Sequence, residues 1–326
     1  MSYTQEPVPN KLSTQALIDY GPNATFRRLA SISDWIEGIF VRGGHGKLLE
    51  LSTTVEHVVK ESHEWIVTLR KVIDGRNYCW QETFDAVVVA SGHYNMPWFP
   101  VVEGFLEFNS KFPRAILHSK HFQGGSKFAG KVHLLLPTVE CKTNSRPESY
   151  CGRSFSLLDR DHSQDFQSCQ GSLYASLMEE SINAYGWAPF EHPSLSVKRA
   201  IQRLDPQTGR IYFTDGSFLD NVDHIIYESG YTFGFPFSSK VQGLIKMCCR
   251  RLPVVYQHTW DIEDPTLTFI EGFTFRAYEW QAAAVARFLA GRSKSLPSMS
   301  YQLEWERQRG REKRGEKCYY SMRSEY

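Results

Sequence analysis

The sequence predicts an α/β protein of two domains, each built around a parallel sheet and extended by β-hairpins. The first observation is an unbroken apolar run, Ala86-Val87-Val88-Val89, which leads into Ser91-Gly92. The second is a repeat of this pattern further along the chain, where Ile225-Ile226 leads into Ser229-Gly230. A continuous apolar strand is typical of a parallel sheet that is covered on both faces, as in α/β proteins.

Length and composition agree with this fold class and exclude several functions. A chain of 326 residues exceeds what one compact core usually holds, so two domains are expected. The net charge of +1 provides no field for a nucleic-acid partner or a membrane surface, and no apolar run is long enough for a membrane anchor. Seven cysteines, an odd number, indicate a reducing and therefore cytoplasmic compartment. The N-terminus has no signal-peptide pattern.

The N-terminal part of the chain predicts a loop, a helix and a hairpin. Residues 1–30 are polar and predict a loop, and Ser33 is the expected N-cap of a short helix with the apolar stripe Ile36, Ile39 and Phe40. Alternating side chains then predict strands around the Asp74-Gly75 turn, over residues 49–59, 64–69 and 78–84.

The same arrangement recurs in the second half of the chain. A short strand, 210–213, and an Asp215-Gly216 turn precede the run that begins at Asp223. The acid, the apolar run, the Ser-Gly pair and an aromatic ring stand at the same offsets in residues 85–93 and 223–231. The sequence therefore indicates a duplicated unit.

Both strands are predicted to end on a residue without a side chain, and two interpretations remain open. In an open α/β sheet, ligands lie across the carboxyl ends of the strands. Glycine there lets a ligand approach the backbone and allows positive φ. Alternatively, Gly92 and Gly230 only form tight turns. His118-x-x-His121 has no third ligand nearby, so no metal is expected.

Five segments together resemble the flavin-containing monooxygenase family. Residues 84–108 resemble the passage from its FAD domain into its NADPH domain, and residues 224–237 resemble the returning crossover. The other segments resemble the family's His-Ser segment, the strand entering its NADPH domain and its last helix, and they are residues 117–122, 130–136 and 273–292. The resemblance covers roughly residues 1–136 and 172–310 in the family's order.

The resemblance implies two nucleotide-binding, Rossmann-like domains with FAD and NADPH as cofactors. The remainder of the FAD domain would be 1–95 and 231–310, and the NADPH-binding-like domain 96–230, with a charged tail at 311–326. The implied activity is NADPH-dependent oxygenation of nitrogen or sulfur in a small nucleophile, or Baeyer-Villiger oxygenation of a ketone. The implied cofactor-binding residues are Ala90, Ser91, Gly92, His93, His118, Ser119, Ser229, Gly230, Tyr231, Thr274 and Gln281.

The last helix of the resemblance is predicted from its own signals. Thr274 is the expected N-cap, and Gly291 is the expected end of the helix. Two interpretations remain open, a helix beside the flavin and an ordinary amphipathic helix on the sheet.

Departures from the family pattern make both predicted domains incomplete. The chain has no G-x-G-x-x-G, so we expect an N-terminally truncated FAD domain. Pro137 stands in place of the first glycine of the second fingerprint, and residues 137–171 predict an irregular segment, either a loop or a frame-shifted or intronic sequence. Glu228 replaces a small residue, and a carboxylate there would repel phosphate unless it pointed away. A catalytically dead remnant that binds a partner as an α/β module is the alternative function.

Overall fold

The computed structural model describes seven ranges of the chain and a few isolated positions, the ranges being 29–92, 94–121, 130–137, 172–177, 195–238, 254–271 and 274–312. The chain divides into two compact units. Unit 1 comprises Met1–His93 and Phe233–Tyr320, and unit 2 comprises Tyr94–Thr232 with Ser321–Tyr326. The chain therefore passes between the units just after each Ser-Gly pair.

The described part contains helices and short strands, numbered here along the chain. The helices are α1 Leu29–Gly43, α2 Phe105–Lys111, α3 Phe275–Leu289 and α4 Met299–Glu312, with 3-10 helices at His45–Leu48 and Ser119–His121. The strands are β1 Thr53–Glu61, β2 Glu64–Ile73, β3 Arg76–Phe84, β4 Val87–Val89, β5 Met96–Pro97, β6 Ile116–His118, β7 His133–Pro137, β8 Leu173–Ser176, β9 Leu195–Lys198, β10 Ile201–Leu204, β11 Ile211–Phe213, β12 Phe218–Leu219, β13 His224–Glu228, β14 Tyr231–Thr232, β15 Val255–Tyr256, β16 Trp260–Asp261 and β17 Leu267–Phe269.

The predicted hairpin is the antiparallel sheet β1-β2-β3 of unit 1. Asp74 and Gly75 both have positive φ, 50° and 75°, as a two-residue hairpin turn that follows the strand twist requires. Val58, Trp65 and Val67 are buried in the core of this unit, whereas the outer strand β3 is almost wholly exposed. The turn prediction is therefore confirmed.

Helix α1 begins earlier than the sequence predicts. It starts at Leu29, so Ser33 lies inside the helix and is not its N-cap. Leu and Ala at positions 29 and 30 are strong helix formers, and they extend the helix backward by one turn. The helix is held by Trp35, whose ring lies 5.4 Å from that of Tyr3 and 5.1 Å from that of Phe275.

The strand that carries the first Ser-Gly pair lies at the edge of a four-stranded sheet. The order is β15-β16-β17-β4, and β17 and β4 are parallel. Val89 is buried, but Val88 is 41% exposed. The expectation that this apolar run is covered on both faces is therefore wrong, because successive side chains of a strand point to opposite faces and the face that carries Val88 is partly exposed.

Unit 2 contains a five-stranded sheet, β6-β13-β7-β8-β9, in which every pair is parallel. Its strand β13 has neighbours on both sides, and Ile225, Ile226 and Tyr227 are at most 1% exposed. Here the prediction of a covered parallel strand is confirmed. The predicted irregular segment is 137–171. Its first residue, Pro137, is instead the last residue of β7, and residues 138–171 lie outside the described residues.

The duplicated sequence pattern is also a duplicated strand order. In each unit a three-stranded antiparallel sheet, β1-β2-β3 or β10-β11-β12, directly precedes the parallel strand that ends in Ser-Gly. Gly216 has a φ of 81° in the second hairpin turn, which confirms the predicted Asp215-Gly216 turn. Gly92 and Gly230 have φ values of 70° and 76°, so both strands leave the sheet through a backbone conformation that favours glycine. Among the described helices, none is sufficiently long and apolar to span a bilayer.

Candidate functional site

The carboxyl end of β13 in unit 2 is held by contacts with β6 and with the segment around β5. Gly230 O accepts a hydrogen bond from Trp98 N at 3.0 Å. It also lies 2.9 Å from His118 Nε2, at the end of the neighbouring strand β6. Tyr231 pairs with Pro97 in the short antiparallel pair β14-β5. These contacts fix the path that the chain takes as it leaves the sheet.

The imidazole of His118 is neutral and has one defined tautomer. Lys120 N donates to Nδ1 at 3.1 Å, so the ring proton is on Nε2 and is donated to Gly230 O. Burial is the main cause that lowers the pKa of His118. The hydrogen bond to Gly230 O raises this pKa, and the positive charges of His121 and Lys120 lower it further. Both ring nitrogens are engaged, so His118 is a positioning residue.

The remaining predicted residues of unit 2 lie around the same point. Ser229 Oγ donates to Trp98 O. The Tyr231 ring lies 5.1 Å from the His118 ring and 5.3 Å from the Tyr94 ring, both in edge-to-face geometry. The structure thus brings together five residues that sequence analysis named, which are His118, Ser119, Ser229, Gly230 and Tyr231.

Glu228, the last residue of β13, differs from the expectation in its charge. Its side chain is 1% exposed, and burial raises its pKa well above the usual range. The protonated form is therefore favoured, and an uncharged acid does not repel phosphate as a carboxylate would. The predicted repulsion between Glu228 and a phosphate would therefore arise only if Glu228 lost its proton.

The corresponding end of β4 in unit 1 is open. Ile270 N donates to Val89 O at 2.9 Å, which extends the parallel pairing of β17 and β4 to the start of the Ala90-Ser91-Gly92 segment. A Cβ atom added to Gly92 would meet no atom of the described, non-neighbouring residues within 4 Å. Space therefore exists over the backbone at this glycine. His93 lies outside the described residues.

Thr274 and Gln281 both have structural contacts in α3. Thr274 Oγ1 accepts from Ala277 N at 3.2 Å, which confirms the predicted N-cap. Gln281 Oε1 accepts from Glu271 N at 3.1 Å, and its Nε2 lies 3.1 Å from His258 O and 3.2 Å from Thr259 Oγ1. The amide of Gln281 is thus a bridge between α3, the β15-β16 turn and the segment after β17.

Glu271 is a candidate residue that sequence analysis missed. It lies two positions after β17 and is 2% exposed, and burial raises its pKa to about 8. Neither carboxyl oxygen has a hydrogen-bond partner among the described residues. The only sequence signal is an acid that directly follows an apolar strand, and this signal says nothing about burial.

The two strand ends suit some parts of a dinucleotide cofactor better than others. Open backbone at Gly92 and the uncharged acid at Glu271 are compatible with an uncharged planar ring. A pyrophosphate needs several converging backbone amides, and the described residues include no G-x-G-x-x-G loop of the kind that provides them. Within the described ranges, no group of three His, Cys, Asp or Glu side chains could hold a metal ion.

Comparison with known sequences points to one family. A family model described as flavin-binding monooxygenase-like matches residues 192–326. Flavin-containing monooxygenase FMO GS-OX-like 9 of Arabidopsis thaliana is 28% identical over 274 residues, covering 80% of this chain and 53% of that protein. The thiol-specific monooxygenase of Saccharomyces cerevisiae is 26% identical over 264 residues, covering 76% and 54%. The chain spans about half the length of these curated relatives.

Comparison with a solved structure shows the fold. The crystal structure of Tmm from Pelagibacter sp. strain HTCC7211 matches with a TM-score of 0.66 at 21% identity, covering 86% of this chain and 57% of that one. The predicted Rossmann-like α/β fold class is confirmed. The sequence matches show that the chain is similar to flavin-containing monooxygenases over much of its length, and the structural match shows that it shares the fold of the matched chain.

Proposed function

We propose that the chain is part of an FAD- and NADPH-dependent monooxygenase that oxygenates nitrogen or sulfur in a small nucleophilic substrate, or a ketone. One observation carries the proposal. Two parallel strands, one in each unit, end in a glycine of positive φ directly before the chain passes into the other unit. Ligands of open α/β sheets bind at such ends. The names of two relatives, a thiol-specific and a trimethylamine monooxygenase, support the substrate class.

The residues at the two strand ends have different roles in this proposal. Ala90, Ser91 and Gly92 would lie against FAD, which passes electrons from NADPH to molecular oxygen when it is bound. His118 and Ser229 would shape the NADPH side without touching the reacting atoms, since their polar groups are bonded to backbone. The phosphates of both cofactors would need donors beyond the described residues.

Other features of the proposal rest on charge and composition. We propose a cytoplasmic protein, because an odd number of cysteines indicates a reducing compartment. We propose that it acts on small molecules and not on nucleic acid, because the net charge is +1. The two units would correspond to the FAD-binding and NADPH-binding-like domains.

The test uses the purified chain with added cofactors. FAD is added, unbound flavin is removed, and the absorbance spectrum is recorded. Oxidation of NADPH is then followed at 340 nm with a thiol, a tertiary amine or a ketone. Retained flavin bands and substrate-stimulated NADPH oxidation are expected. A colourless chain that leaves NADPH unchanged in all three assays would contradict the proposal.

A second candidate function is a non-catalytic α/β module that binds a partner protein. It is favoured by the sequence of the described residues, which contains no G-x-G-x-x-G loop to hold a cofactor pyrophosphate. The spectrum described above separates the two candidates, because the module would take up no flavin.

A further inference from the structure

Glu271 is a buried acid whose hydrogen bonds are unmade. Its side chain is 2% exposed, and neither Oε1 nor Oε2 has a partner among the described residues. Leaving such a group unpaired in the interior is unfavourable, because it loses its hydrogen bonds with water without gaining others. Its main-chain N–H, by contrast, donates to Gln281 Oε1 at 3.1 Å. The backbone at this position is therefore held in place while the side chain offers a free donor and acceptor.

The location of Glu271 is where a ligand of this sheet would lie. Ile270, the residue before it, donates to Val89 O and so extends the β17-β4 pair to its carboxyl end. On β4, the chain leaves this end through Gly92, over which there is open space. Ligands of parallel sheets lie across the carboxyl ends of the strands. Glu271 thus stands at the carboxyl edge of the β17-β4 pair, the edge at which ligands of parallel sheets bind.

Among the described residues, the elements that pack around Glu271 supply no cation that pairs with it. Helix α3 contributes the neutral amide of Gln281, and the Glu279 carboxylate of that helix accepts from Thr4 N and Thr4 Oγ1. The β15-β16 turn contributes His258, whose ring lies against that of Trp305 at 5.5 Å. Burial is the cause that raises the pKa of Glu271 to about 8. At neutral pH the group is therefore a hydrogen-bond donor as well as an acceptor.

We propose that Glu271 is a ligand-binding residue, and that its protonated carboxyl group donates a hydrogen bond to an acceptor atom of an uncharged planar ring bound at the β4-β17 edge. This inference rests on the proposed function, in which that ring is the flavin of FAD. A ring with carbonyl oxygens and imine nitrogens provides such acceptors. A phosphate is a poorer match, because ionisation of the acid would place two negative charges together.

The test measures binding of riboflavin, which has the ring without pyrophosphate, and of ADP, which has the pyrophosphate without the ring. Quenching of riboflavin fluorescence gives its affinity, and calorimetry gives that of ADP. The proteins are the wild type, Glu271→Gln, which donates but does not ionise, and Glu271→Leu, which does neither. Glu37→Gln, an exposed position on α1, is the matched control. Circular dichroism of each variant reports folding independently of binding.

The wild type is expected to lose about tenfold in riboflavin affinity from pH 6.5 to 9.0, because a group of pKa near 8 is mostly ionised at the higher pH. Glu271→Gln should bind with little pH dependence. Glu271→Leu should bind several-fold more weakly at pH 6.5, as expected for the loss of one hydrogen bond. ADP affinity should not respond to either substitution, and Glu37→Gln should follow the wild type.

Two results would overturn the inference while leaving the proposed function standing. One is riboflavin binding that is independent of pH in the wild type and equal in Glu271→Leu. The other is tighter binding in Glu271→Leu, which would mean that the acid opposes the ligand. If neither riboflavin nor FAD binds at any pH, the inference and the proposed function both fail. If the substitutions changed only the affinity for ADP, Glu271 would contact the phosphate part of the cofactor, and the proposed hydrogen bond to the ring would be wrong.

Discussion

The position of His118 predicts that one histidine makes unit 2 sensitive to acid. We consider His118→Phe, which keeps an aromatic ring against Phe99 and Tyr231 but removes both hydrogen bonds of the imidazole. Each bond contributes about 0.5–1.5 kcal/mol, so the substitution should lower the free energy of unfolding by about 1–3 kcal/mol at pH 7.5.

The pH dependence follows from the direction of the pKa shift. The pKa of His118 is lowered in the folded protein, chiefly by burial, while it is near 6.5 in the unfolded chain. The unfolded state therefore binds more protons as the pH falls below about 6.5, and the stabilisation from His118 is lost there. The loss is limited to about 1.4 kcal/mol per pH unit. The difference in the free energy of unfolding between wild type and His118→Phe should therefore become smaller from pH 7.5 to 5.0.

Urea unfolding at several pH values tests this prediction, with hydrogen exchange at Trp98 N, which donates to Gly230 O, as a local measurement. His63→Phe is the control, because His63 is exposed and lies in the β1-β2 turn of unit 1, whereas His118 belongs to unit 2. Other histidines also titrate, so the quantity to compare is the difference between wild type and variant. If that difference is the same at pH 7.5 and 5.0, the assignment of a buried, neutral His118 is refuted.

Two further substitutions have expected outcomes that unfolding measurements check. Gly104→Ala should be strongly destabilising, by more than about 3 kcal/mol, because a Cβ there would lie 2.1 Å from Leu204 O. Gly75 has nearly the same φ as Gly104, but among the described residues no atom lies within 4 Å of an added Cβ. Gly75→Ala should therefore lower the free energy of unfolding by only about 1 kcal/mol. Equal losses of stability in the two variants would refute the clash at Gly104. Tyr227→Phe should be neutral or stabilising by about 1 kcal/mol, since the buried hydroxyl has no hydrogen-bond partner among the described residues, and a marked loss would show a missing partner.

Local features of the structure could be predicted from sequence because they depend on a few neighbouring residues. The Asp74-Gly75 turn, the Thr274 N-cap and the end of α3 at Gly291 are all present. Positive φ at both Ser-Gly strand ends belongs to the same class, since glycine is the residue that adopts it without strain. Duplication strengthened the prediction, because the same local signals recur twice in the same order.

Features that depend on distant neighbours were predicted less well. The apolar run of β4 looks like that of a buried strand, but the face of the sheet that carries Val88 is partly exposed. The start of α1 was placed too late because its N-terminal residues have no capping signal. Glu271 was missed because only the folded chain shows that an acid after β17 is buried. Glu228 was expected to be ionised, and its burial favours the protonated form instead.

The central claim is that a cofactor lies over the open backbone at Gly92, and FAD affinity of Gly92→Ala tests it most directly. The added methyl group would enter empty space in the free protein, so its cost in stability should match that of Gly75→Ala, about 1 kcal/mol. If the cofactor occupies that space, Gly92→Ala should bind FAD at least about tenfold more weakly than Gly75→Ala, a loss of about 1.4 kcal/mol. Equal FAD affinity of the two variants would contradict the account.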